Sequence, residues 1–351
     1  MRLLTTALAI LAIAAPAAAA RNVPRGFYGV SYDGELRDAP VDVQARAWER
    51  MAANRAESAR TVFSWTTAQR EEGGAFDFRA SDRAVEDAAV SGVRLLPIVT
   101  ETPLWARGRV GQWWPRETGD FARYMRALVG RYGPDGSFWA ENPDVPRRAL
   151  RHWQIFNEPG RSKRYAPLLR AAHREVKRAD GGGKIVLAGL TGTEDGAPWD
   201  ILRYQYRKGG IRRWFDIAAL HLYTGKAKNV VAGTRMFRRV MKRHGDGRKP
   251  LWLTEFGITA SEGRTTAPRS QRTLRTTDRG MAEFLHEAYR RLVRNRRRLR
   301  LRRAYWYTWA SSYERGAGIF RFAGLNRYAD GGLEAKPALR AYRRSARRDQ
   351  R

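Results

Sequence analysis

The chain contains no cysteine among its 351 residues. A disulfide framework is therefore excluded, and stability must come from the packed core itself. No Gly-x-Gly-x-x-Gly turn follows the first apolar run, so nothing favours a dinucleotide-binding sheet. Internal repeats, Gly/Ser linkers and low-complexity segments are also missing. Lysine is scarce, with 9 Lys against 58 Arg, and the basic residues lack the interleaved aromatics of a nucleic-acid-binding surface, so no specific nucleic-acid partner is implied. No His/Asp/Cys cluster has ligand spacing, so neither a metal nor an organic cofactor is expected.

What is present begins with apolar bulk. Hydrophobic residues make up 43% of the sequence and aromatics 11%, enough for one large core; α/β barrels reach this length as a single domain. The N-terminus stands apart: Met1-Arg2 precedes the run LLTTALAILAIAAPAAAA, which holds no acid and ends in small residues. This is the pattern of a secretory signal peptide over 1–20, leaving one folded domain over 21–351 in an extracellular or wall-associated protein with no remaining membrane span. An uncleaved anchor is the competing reading. The formal net charge of +32 comes from 67 Lys plus Arg against 35 Asp plus Glu. It is spread along the whole chain and densest over 290–303, where a helix is expected to end. A basic helix C-terminus is electrostatically favourable, and the surface charge would also draw the protein to anionic cell-wall polymers.

After residue 25 the sequence keeps one rhythm, short apolar or β-branched runs followed by longer stretches with helical spacing. Strands are expected at 26–31, 59–65, 94–100, 151–157, 184–190, 215–223, 251–258 and 303–310. Eight buried strands alternating with amphipathic helices predict a (β/α)8 barrel; a doubly wound open sheet is the alternative. The polar stretch 262–279 reads as a long loop on the catalytic face.

Barrel enzymes carry their chemistry at the C-terminal ends of the strands. There the fourth run ends in Asn157-Glu158-Pro159, and the seventh contains Thr254-Glu255-Phe256-Gly257. Strands four and seven face each other across the mouth, which sets two carboxylates on either side of a substrate. Glycosidic cleavage needs such a pair, one to protonate the departing oxygen and one to attack or stabilise the sugar carbon.

FNEP on strand four together with LTEFG on strand seven resembles clan A of the glycoside hydrolases, the retaining (β/α)8 enzymes of the family 5 and family 39 type. The likeness covers about 26–345, including the closing GLEAKPALRAYRR. It implies Glu158 as acid/base, kept protonated by a partly apolar site and by repulsion from the second carboxylate, with Glu255 as nucleophile. It also implies Asn157 on the sugar 2-hydroxyl, His221 and Tyr223 as the sixth-strand His-x-Tyr pair, Arg60 steadying the nucleophile, and Trp306 or Trp309 as the sugar floor. The third-strand region, with Thr100, Glu101 and Trp105, departs from family 5 and is closer to family 39. The substrate implied is a β-linked oligo- or polysaccharide. Trp113 and Trp114 either line a groove or pack under a loop. A carbohydrate-binding protein on the same barrel and a transglycosylase remain the alternative functions.

Overall fold

The computed structural model describes residues 21–108, 113–194, 196–314 and 316–351; the expected signal peptide lies outside them. Eight parallel strands form the centre: β1 (Tyr28–Ser31), β2 (Ser58–Ser64), β3 (Arg94–Thr100), β4 (His152–Ile155), β5 (Lys184–Val186), β6 (Ala218–Tyr223), β7 (Leu251–Gly257) and β8 (Leu301–Trp306). Their order is β5-β4-β3-β2-β1-β8-β7-β6. Parallel bridges from Val186 to Ile217 and from Leu190 to Leu220 draw the two edges together. The sheet is thus a (β/α)8 barrel.

The main helices that follow the strands are α1 (Val41–Ala53), α2 (Arg79–Ser91), α3 (Thr118–Tyr132), α4 (Tyr165–Ala179), α5 (Pro198–Tyr204), α6 (Ala227–Arg243), α7 (Asp278–Leu299) and α8 (Pro337–Asp349). Each helix forms because its apolar residues recur at helical spacing. In α4, Tyr165, Leu168, Leu169, Ala172 and Val176 make one buried stripe, which lies against the barrel. The closing helix α8 is fastened to the opening strand, since the Tyr28 hydroxyl donates to Asp349 at 2.6 Å and the Tyr28 ring stacks on Tyr289 of α7 at 4.5 Å. Among the described residues no helix is long and apolar enough to cross a membrane.

Several boundaries differ from the sequence expectation, and the differences fall at strand ends. β4 stops at Ile155 rather than 157, because Phe156 (φ +68°) and Glu158 (φ +45°) enter the left-handed region. β8 covers 301–306 rather than 303–310. On β7, Leu253 and Glu255 pair with consecutive residues Leu220 and His221 of β6. Towards β8, Leu253 pairs with Ala304 while Phe256 pairs with Trp306. One extra residue therefore sits in β7 around Thr254, a bulge of the kind that re-aims a side chain.

Candidate active site

The C-terminal ends of the strands open into a cleft of about 760 Å³ whose lining includes Asp33, Asn157, Glu158, His221, Tyr223 and Glu255. The deepest charged group beneath it is Arg60 on β2, 1% exposed. Burying a guanidinium is tolerable only when its N–H groups and charge are met, and here they are. Nε donates to Gln154 Oε1 at 2.7 Å, Nη1 to Glu255 Oε1 at 2.6 Å and Nη2 to Asn157 Oδ1 at 2.7 Å. One side chain thus fixes residues from β4, the turn after it, and β7. The other Glu255 oxygen accepts from the Tyr223 hydroxyl at 2.5 Å, so both oxygens of Glu255 are held.

Glu158 stands at the rim with 36% of its side chain exposed. Its left-handed backbone is an uncommon conformation for a non-glycine residue and belongs with the strain seen at functional sites. Its Oε1 lies 2.7 Å from His221 Nδ1, the ring atom that is also 3.5 Å from Glu255 Oε2. His221 is fully buried, and it occupies that place because residue 189 is glycine: a Cβ there would stand 1.7 Å from His221 Nε2. One atom each of Glu158, His221 and Glu255 lie within 4.8 Å of one another, so the two carboxylates face each other at about the retaining separation.

The proton balance differs from the sequence expectation. Burial works to raise the Glu158 pKa, but the hydrogen bond and charge of His221, with Arg60 behind them, outweigh it and hold the carboxyl below the ordinary glutamate range. These contacts favour the carboxylate over the protonated form that the sequence reading expected.

The sugar floor expected at Trp306 or Trp309 is not part of the cleft lining. Trp306 is fully buried, with its ring 5.5 Å from Phe256 and 6.3 Å from Phe284 in the layer between barrel and helices. Trp309 is also fully buried, beyond the end of β8. Neither lines the cleft. With β8 ending at residue 306, alternation along a strand does not decide between them. The aromatic residues lining the cleft are Tyr223, Tyr307 and Phe320, together with the His221 ring. Trp114 stacks on Phe156 at 4.4 Å, buttressing the turn that carries Glu158, while Trp113 is exposed beneath the Arg107 guanidinium. Trp105 donates to the Gln69 carbonyl, and Glu101 pairs with Arg37 at 3.5 Å; both lie outside the cleft lining.

The structure adds residues that the sequence reading did not select. Asp33 follows β1 and lines the cleft; burial pushes its pKa up, with the Glu255 charge adding to the effect. The strand-end rule that selected Glu158 would also have found it. Gln271 and Leu274, from the polar loop after β7, supply part of the wall. Gln154 was hidden inside an apolar run. A second cavity of about 440 Å³ shares Asp33, Gln271, Tyr307 and Phe320 with the cleft and extends it towards Glu35 and Arg321, which form an ion pair there.

Fold and site together define a (β/α)8 barrel with paired carboxylates at its mouth. Residues 156–315, which contain both glutamates, match the family model described as glycosyl hydrolase catalytic core. Among solved structures, a family 39 glycoside hydrolase from Bacteroides cellulosilyticus WH2 superposes with a TM-score of 0.69 at 17% identity, covering 93% of this chain and 64% of that one. A monomeric β-xylosidase from Caulobacter crescentus CB15 gives 0.64 at 15% identity, covering 92% and 68%. The family 1 β-glucosidase of Thermotoga maritima gives 0.67 at 13% identity, covering 95% and 100%. The chain therefore spans just under two thirds of the length of the family 39 structure, and at these identities the likeness is one of fold. No curated protein matches the sequence. Just under half of the chain is thus similar to a glycosyl hydrolase catalytic core, and the whole of it shares the barrel fold of these solved structures.

Proposed function

We propose that the protein is an exported, retaining β-glycosidase acting on a β-linked oligo- or polysaccharide by double displacement. The observation that carries this reading is the pair of carboxylates within 4.8 Å at one cleft. A Glu255 oxygen attacks the anomeric carbon as the bond to the leaving oxygen breaks, and the Glu158 proton passes to that oxygen. Water then attacks the glycosyl ester, its proton goes to Glu158, and Glu255 is released as a carboxylate. The Glu158 environment suits both halves. A sugar lying over the cleft strips water from Glu158, and that desolvation raises its pKa towards the protonated acid. Once the leaving group has gone, the hydrogen bond from His221 favours the carboxylate that a general base needs.

Asn157, with its oxygen engaged by Arg60, keeps its amide N–H groups for a sugar hydroxyl. The trough running from Glu194 past Tyr307 to Arg321 favours a chain of several sugars over a single terminal one. Export follows from the N-terminal run, and sequencing the secreted protein should find a start near Ala20 or Arg21. Attraction of the +32 chain to anionic wall polymers should weaken as salt rises, because screening shortens its reach.

The test of roles uses azide. Glu255→Ala should lose turnover by about 10⁴-fold or more, and azide should restore cleavage with inverted product. Glu158→Ala should still release good leaving groups, and azide should then give retained product. Loss of activity in both without rescue in either would reject the assignment.

A further inference from the structure

At the opposite, N-terminal end of the barrel lies a cavity of about 290 Å³ between β3, β4, β8 and α2, lined by Arg94, Arg148, Arg151, His152 and Arg303. Arg148 and Arg151 are exposed at its mouth. Arg303 lies deeper, 8% exposed; its Nη1 donates to the Tyr305 hydroxyl at 3.1 Å, and its guanidinium sits 4.1 Å over the Trp252 ring. No carboxylate among the described residues pairs with Arg303. Arg94 makes no side-chain hydrogen bond or ion pair among the described residues. Arg148 donates only to the Ala89 carbonyl, at 3.1 Å, and Arg151 alone has an acid, Asp180 at 3.2 Å.

The remaining nearby carboxylates are already engaged. Glu57, whose charge acts on Arg94, accepts from Arg21 at 2.5 Å and from the Gly26 amide at 2.8 Å. Asp216, whose charge acts on His152, accepts from Lys177 at 3.1 Å and from the Ile185 amide at 2.8 Å. The twenty residues before Arg21 contain no acid. His152 adds no compensation: burial, then the charges of Arg303 and Lys184, push it down to about 3. Like charges that converge in a partly desolvated pocket without a counter-charge are costly, whereas a multivalent oxyanion would meet several guanidinium forks at once.

We propose that this cavity binds a phosphate-type oxyanion, with Arg94, Arg148 and Arg303 donating to its oxygens. The anion comes either from free phosphate or from the phosphate groups of an anionic polymer.

The experiment titrates inorganic phosphate into the full chain, by calorimetry and by thermal unfolding, against chloride at matched ionic strength. Saturable binding and a rise in Tm beyond that in chloride are expected, since a ligand that binds only the folded state stabilises it. Arg94→Gln and Arg148→Gln should each weaken phosphate at least about tenfold. Arg94→Glu, which places a carboxylate beside Arg303, should raise Tm in phosphate-free buffer and abolish the response to phosphate. Glu255→Ala should bind phosphate as the parent does, which keeps this site distinct from the cleft. A glycerol phosphate polymer that displaces phosphate assigns the polymer as the source; its failure to compete assigns the free anion. Equal Tm gains in phosphate and chloride overturn the proposal. So does an Arg94→Gln protein with parental affinity, or loss of phosphate binding in Glu255→Ala.

Discussion

Arg60 and Arg303 both project from barrel strands and are both almost wholly buried, at 1% and 8% exposure, yet their surroundings are opposite. Arg60 donates to three acceptors, one of them a carboxylate at 2.6 Å. Arg303 has a tyrosine hydroxyl and an indole face. The cleft above Arg60 is lined by the acids Asp33, Glu158, Glu194 and Glu255, with no Lys or Arg among its described residues. The cavity beside Arg303 is lined by arginines without a carboxylate. In a chain of net charge +32, the location of the acids therefore says more about function than their number. They are gathered in the cleft at the strand ends, and absent from the lining where arginines converge.

This contrast should be easiest to break at Arg60. Arg60→Ala leaves Glu255 buried beside an empty space, so a loss of about 3–5 kcal/mol in stability is expected, together with a large fall in kcat, read by denaturant unfolding and by initial rates. Arg303→Met in phosphate-free buffer should stay within about 1 kcal/mol of the parent, because exchanging a poorly compensated charge for an apolar chain is often neutral or stabilising. Equal destabilisation by the two variants would erase the difference between the two ends.

A smaller effect is expected at Gly189. An added methyl meets the His221 ring, so Gly189→Ala should cost about 1–3 kcal/mol through overpacking. As His221 is displaced, its hold on Glu158 should loosen, and the pH profile of kcat/KM should move although residue 189 does not touch the carboxylates.

The pH dependence at the arginine end sharpens the contrast further. His152 has its folded pKa pushed down to about 3 by burial, by Arg303, Lys184 and Arg94, against the opposing charge of Asp216. A base whose folded pKa lies below its unfolded value of about 6.5 binds protons better when unfolded. Stability is therefore lost as pH falls through that window, by no more than about 2 kcal/mol between pH 7 and pH 5. His152→Gln should flatten the Tm-against-pH curve there. A small stability loss is expected for Tyr223→Phe, about 1 kcal/mol for one hydrogen bond, with its main effect on kcat because one Glu255 oxygen becomes free to turn.

Much of this architecture is legible in the chain because parallel strands buried on both faces appear as continuous apolar runs. The run at 94–100 coincides with β3, and the acids that interrupt the runs at 158 and 255 fall at strand ends where solvent and substrate meet. The densest basic run is also placed as expected: α7 ends at Leu299, Arg300 turns at φ +49°, and β8 begins at Leu301. Other features leave no local mark. Trp306 and Trp309 attract notice by size, but size favours burial as readily as sugar stacking, and the smaller Tyr307 between them lines the cleft. Nor does motif spacing reveal that His221 pulls Glu158 below the ordinary range, because that depends on a 2.7 Å contact between β6 and the turn after β4.

By itself the sequence determined the barrel, the strands that would carry the acids, and the absence of cysteine-based stabilisation, since each of these depends on local periodicity, strand order or composition. The tertiary structure decided the rest: the bulge around Thr254 in the strand that carries Glu255, the left-handed turn that lifts Glu158 to the rim, the glycine that makes room for His221, and the meeting of Arg94, Arg148 and Arg303 from distant parts of the chain. These depend on distances between residues far apart in sequence, which are set only when the eight strands close and their side chains compete for the same interior.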